Sequence, residues 1–99
     1  MNEKSDIIHI NLSTNKTQKI ASAERGISYG TKMLRKRQIL LFMNSELGLC
    51  QYDIVANQVL SLVSSYNNEP LRSLNSIEVD AKNPHIIYFT QVNPNISMT

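Results

Sequence analysis

A chain of 99 residues, 41% hydrophobic and 18% charged, has the composition of one globular domain near the small end for a self-sufficient core. Its longest apolar runs, ILLFM (39–43) and IIYF (86–89), fall far short of the ~20 residues of a membrane helix. The net charge of +2 hides a division: residues 1–37 carry eight Lys/Arg against three Asp/Glu, whereas residues 38–99 carry two against five. Such polarity suggests one end facing a polyanion and another that packs or meets a partner.

In chain order, DIIHINLS (6–13) alternates, so a short strand is expected with Ile8, Ile10 and Leu12 on a buried face and Ile7, His9 and Asn11 on the other. STNKTQKIASAERG (13–26) predicts a weakly amphipathic helix, capped by Ser13 or Thr14 and stopped at Gly26. ISYGTKMLRKRQILLFMNSELG (27–48) predicts a second helix, with Ser28 or Thr31 as cap and Gly48 as terminator; its all-round apolar run 39–43 makes it central and buried. YDIVANQVLSLVSSYNNE (52–69) predicts a third helix capped by Asp53, and PLRSLNS (70–76) a further helical turn. Strands at 76–80 and 85–92 then form a hairpin around 81–84, followed by a frayed tail at 93–99. The expected fold class is therefore α+β: an N-terminal strand, three helices and a C-terminal β-hairpin in a single domain 1–99, with no internal repeats. A chain this small is expected to complete its burial as a homodimer.

Catalytic chemistry finds no support in the pattern. His9 and His85 are the two histidines, and neither has a Cys, Asp or Glu at metal-ligand spacing. Glu78 and Asp80 read as a solvated strand face, and Cys50 as a structural thiol without an adjacent base. The glycines at 26, 30 and 48 match no nucleotide fingerprint. The expectation is a non-enzymatic protein with no cofactor, no metal and no small-molecule substrate. The single cysteine and an acidic N-terminus without an apolar h-region lead to the expectation of a cytoplasmic protein with no membrane partner.

The charge layout is the most informative feature. Residues 14–37 hold Lys16, Lys19, Arg25, Lys32, Arg35, Lys36 and Arg37 against Glu24 alone. A solvated helix face would mix in acids for i,i+4 pairing, so the cluster is expected to grip the phosphates of double-stranded DNA.

The residues IIHINLS and GISYGTKML, a short alternating strand leading through a tight turn, resemble the ribbon-helix-helix family of DNA-binding regulators over residues 6–45. The resemblance implies a strand paired with its twin across an intertwined dimer, its polar face in the major groove. It would set His9, Asn11 and Ser13 against base edges, and line a phosphate-binding turn with Ser28, Tyr29, Gly30 and Thr31. Residues 46–92 would then be the packing or partner part. The function so implied is that of a small transcriptional, plasmid or phage regulator. Two alternatives stand beside it. A winged-helix protein would place its recognition helix in 53–66, which holds no Lys or Arg. A protein-binding module (an inhibitor, immunity or secretion accessory protein) would use the acidic C-terminal half and the HIIYFTQV strand.

Overall fold

A computed structural model describes residues 4–71 and 74–91, with side chains at 74 and 75 left undescribed. The chain runs through β1 (Ser5–Asn11), β2 (Lys16–Ala23), β3 (Ser28–Leu34), a 3-10 turn (Arg35–Arg37), β4 (Ile39–Asn44), β5 (Gly48–Asp53) and β6 (Gln58–Val63). The small strands β7 (Ser65–Tyr66) and β8 (Glu69–Pro70) follow, then β9 (Leu74–Val79) and β10 (Ile87–Gln91). Strands β3-β4-β5-β6 form an antiparallel meander, while β1–β2, β7–β8 and β9–β10 are separate hairpins.

The run ILLFMN explains the architecture. As the strand β4 it has two faces to bury, and both are covered. Ile39, Leu41 and Met43 point into one core with Leu34, Leu49, Leu71 and Ile77, roofed by the β9–β10 hairpin. Phe42 points into a second core with Ala23, Cys50 and Tyr52, against which Ile7, Ile20 and Ala21 of the β1–β2 hairpin pack. The domain is thus a meander between two hairpins, and an unbroken apolar run is the signature of a strand covered on both sides. The covering is offset: β9 lies on β3 and β4, whereas β2 lies against β6.

Three expected helices, over 13–26, 27–48 and 52–69, are not formed; the described residues there are strands and turns, with the one 3-10 turn at Arg35–Arg37. The strand-helix-helix unit over 6–45 and the winged-helix outline both lose the helices they require. The expected helical turn over 70–76 is likewise replaced where described, by the end of β8 and the start of β9. The physical cause is that turn chemistry imitates cap chemistry. Asp53, expected as an N-cap, accepts a hydrogen bond from Ala56 N at 3.0 Å, but inside the four-residue turn between β5 and β6. Gly48, expected to end a helix, closes the β4–β5 hairpin at φ +83°. Strands stand at 5–11, 74–79 and 87–91, where the two ends of the sequence alternate. The expected buried face of the first is reversed, because Ile8 and Ile10 are exposed and Ile7 packs inward; Leu12, in the turn after β1, is exposed as well. That strand also has a partner in its own chain, β2, rather than requiring a twin. The tail 93–99 lies outside the described residues.

The structure also reveals a repeat. The hairpins β1–β2 and β5–β6 share a turn, N-L-S-T-N-K (11–16) and D-I-V-A-N-Q (53–58), offset by 42 residues. Asn15 and Asn57 take the left-handed conformation at φ 58° and 55°, and each hairpin slips register at the same place. Ile8 pairs with Lys19 and Ile7 with Ala21, just as Cys50 pairs with Ser61 and Leu49 with Val63. A parallel likeness joins ILLFMN (39–44) and IIYFTQ (86–91), offset by 47. The two offsets, 42 and 47 residues, fall in the range of repeated β-units, and the likeness is legible only once turn and register are seen together.

Candidate interaction surface

The segment 14–37 folds into three separate places. Lys16 and Lys19 are exposed on β2 and, three apart on a strand, point to opposite faces of the ribbon. Arg25 sits at the β2–β3 corner, 3.9 Å from Glu46, beside Asn44, which donates to the Arg25 carbonyl. Arg35, Lys36 and Arg37 form the β3–β4 turn at the other end of β4, roughly 17 Å away by the rise of a strand. Lys32 pairs with Glu78 at 3.3 Å. Lys32, Arg35, Lys36 and Arg37 rim a cleft of about 210 Å³ floored by Met33, Leu34, Val79 and Pro84.

His9 and Asn11 lie on one face of the β1–β2 ribbon with Lys16 and Gln18, along a shallow groove. The Asn11 carboxamide oxygen accepts from Ser13 N at 2.9 Å, so that atom is held by the turn in which Ser13 itself lies. The GISYGTKML residues form no helix N-terminus. Ser28 begins β3; its N–H donates to Ser5 Oγ and its hydroxyl accepts from Asn44 Nδ2. Tyr29 packs on the first core, Gly30 lies against the Met43 side chain, and Thr31 pairs with Phe42 across the sheet. The structure therefore gathers Lys32 with Arg35–Arg37, and His9 and Asn11 with Lys16, but does not bring the two groups together.

Among the described residues no three His, Cys, Asp or Glu side chains cluster for a metal. Cys50 is fully buried, and desolvation pushes its thiol up to about 11, away from the thiolate a nucleophile needs. Asp80 is drawn below the usual carboxylate range by backbone hydrogen bonds from Asn83 and Lys82, with a weaker one from the Tyr88 hydroxyl. Its work is to close the β9–β10 loop.

Beyond the HIIYFTQV strand, which the sequence already offers as an edge, the structure shows an apolar surface on β1 and β6 beside strand edges that have no partner among the described residues. Ile8 and Ile10 on β1, Leu60, Leu62 and Val63 on β6, and Ile86 and Tyr88 on the last hairpin are all exposed. Among the described residues β1, β6 and β10 each pair on one side, leaving the other backbone edge open. The strand QVLSLV (58–63) carries no charge, the usual device that blunts an edge. A cavity of about 350 Å³ opens between β1 and strands β3 and β4, lined by Ile7, Ile8, Tyr29, Thr31, Leu40 and Phe42 among others. The missed signal was the offset of the two turns, which marks β1 and β5 as equivalent. Comparison with protein-family models, with curated proteins and with solved structures returns no match.

Proposed function

We propose that this chain is a non-enzymatic protein-interaction module that binds by accepting strands from a protein partner along its open sheet edges. The observation that carries this reading is the half-exposed pair Ile8 and Ile10 beside the edge of β1 that is unpaired among the described residues. Strand addition takes its affinity from main-chain hydrogen bonds and its specificity from alternate side chains, which such an edge supplies. Selection of displayed peptides on the immobilised protein tests it. Extended peptides with alternating apolar residues are expected, and the double variant Ile8→Lys/Ile10→Lys should lose them while keeping its melting temperature. Absence of any enriched peptide, or enrichment indifferent to the substitution, removes the reading.

A second reading, binding of double-stranded DNA by a small regulator, is favoured by one observation: Arg35, Lys36 and Arg37 are consecutive and exposed in one tight turn. Three cations held together would release counterions from a phosphate backbone without reading sequence. Retention of a random duplex that falls steeply with salt supports it, and no retention at low salt rejects it.

A further inference from the structure

We infer that a second copy of this chain is the strand donor: β10 of one copy pairs with β1 of the next, so that their two hairpins make one four-stranded sheet like the central meander. The inference rests on the strand-accepting reading above and names its partner.

The repeat supports it. The meander consists of an inner pair, β3–β4, and an outer pair, β5–β6. The β1–β2 hairpin repeats the outer pair by turn, register and slip. In the β9–β10 hairpin, β10 carries the sequence likeness to β4 of the inner pair. Each hairpin lies over the corresponding strands of the meander, β2 on β6 and β9 on β3 and β4. The chain therefore holds one whole sheet and two complementary halves, and the halves lie on opposite sides of the meander, where they cannot pair within one molecule.

Equivalent residues show what is missing. Cys50 is 0% exposed and Tyr52 3%, while Ile8 and Ile10, at the same positions of the repeated hairpin, are 56% and 52% exposed. Leu41 is 1% exposed, and Tyr88, its equivalent on β10, 59%. In each case the core residue is covered by a neighbouring layer, and its equivalent has none among the described residues. A copy added head to tail supplies both layers at once. Its β1–β2 hairpin brings Ile8 and Ile10 over the exposed Leu60 and Leu62, and its own cavity beside Leu40 and Phe42 receives the face that carries Tyr88. The hairpins also differ in charge: β1–β2 holds two lysines against one aspartate, and β9–β10 with its loop one lysine against two acids. Attraction thus favours this pairing over either hairpin meeting its twin.

Head-to-tail contacts of one kind close into rings when the rotation allows. Radial arrays of four-stranded sheets typically hold about 4–8 sheets. Each copy contributes two, so a closed ring takes roughly two to four copies. The β4–β5 register transfers directly: Leu41 faces Gln51 and Phe42 faces Cys50, so Tyr88 is set opposite His9 of the second copy, and Phe89 opposite its Ile8.

The experiment is light scattering on the chain at ~100 µM, followed by mild oxidation of the double variant Tyr88→Cys/His9→Cys. Both substituted positions are exposed, and the native Cys50 is buried. The expected result is a discrete mass of two to four times 11.2 kDa. It should come with an intermolecular disulfide joining the two substituted positions. The control variant Tyr88→Cys/Gln18→Cys should form none, because Gln18 lies one strand farther on. Ile8→Lys/Ile10→Lys should return the mass to that of a single chain. A single-chain mass in the unaltered protein that still selects strand peptides on β1 overturns the second copy and leaves the strand-accepting reading intact. A single-chain mass with no peptide selected overturns both. An association that survives Ile8→Lys/Ile10→Lys, or that gives no disulfide in this register, also overturns the proposal.

Discussion

Gly26 and Asn44 are fitted to one another: a Cβ on Gly26, which sits at φ +81°, would overlap the Asn44 carboxamide oxygen. That carboxamide is fully buried and uses both ends. Its nitrogen donates to the Arg25 carbonyl at 2.9 Å and to Ser28 Oγ at 3.0 Å, and its oxygen accepts from Glu46 N and Leu47 N, each at 2.9 Å. One side chain thereby ties the β2–β3 corner to the β4–β5 hairpin. Asn44→Ala removes four partly buried hydrogen bonds and should lower stability by about 2–4 kcal/mol. Gly26→Ala meets both the overlap and the left-handed φ, and should cost about 1–3 kcal/mol. Urea unfolding of the two variants checks both, and a neutral Asn44→Ala would dismiss the tie.

The two cores should respond unlike the exposed ribbon. Phe42 is fully buried, so Phe42→Ala should cost about 3–5 kcal/mol. Ile10, half exposed, should cost less than about 1 kcal/mol on replacement by Ala in the single chain. The sequence reading, in which Ile10 and Phe42 are both buried, predicts instead that Ile10→Ala costs about 2–5 kcal/mol. Equilibrium unfolding at a concentration low enough to hold single chains distinguishes them.

Cys50 makes a pH-dependent contribution with a definite sign. Its thiol is raised from 9.0 to about 11 by burial, so between those values the folded chain holds a proton that the unfolded chain has lost. Its contribution is complete below pH 9 and disappears as pH rises to 11, by up to roughly 2–3 kcal/mol. Unfolding free energies of the native chain and of Cys50→Ala, measured from pH 8 to 11, should show the steeper fall in the native chain. Slow alkylation of the folded protein by iodoacetamide is the companion observation.

The Arg35–Lys36–Arg37 turn buries none of its three residues, and no salt bridge involves them among the described residues. Replacing all three by Gln should change stability by no more than about 0.5 kcal/mol. If the second reading holds, the same variant should retain less random duplex and show a flatter dependence of retention on salt. A sharp fall in melting temperature with unchanged retention would assign the turn a structural task instead.

Part of this protein was legible in the sequence. Alternation in IIHIN and in IEV identifies strands, because a side-chain period of two belongs to no other element. The uneven charge is likewise a property of composition and spacing. The middle of the chain was not legible, for a physical reason. Met33, Leu40, Met43 and Leu47 stand three, four and seven apart, which is helical spacing, yet Met33 belongs to β3, Leu40 and Met43 to β4, and Leu47 to the turn before β5. Asp53 and Gly48 carry the chemistry of a helix cap and a helix stop, and the same side-chain-to-backbone hydrogen bond and the same positive φ also build hairpin turns. Local preference therefore left both outcomes open. Tertiary packing decided between them. A strand at 39–44 gives Leu41 and Phe42 opposite cores, each roofed by a hairpin from an end of the chain. The same packing decided which face of β1 is buried: Ile7 packs on the second core, so alternation along β1 turns Ile8 and Ile10 outward, and the slip opposite Ile7 and Ile8 leaves Ile20 as the extra residue of β2. A one-residue slip exchanges the two faces of a strand, and only the partner strand determines where that slip falls.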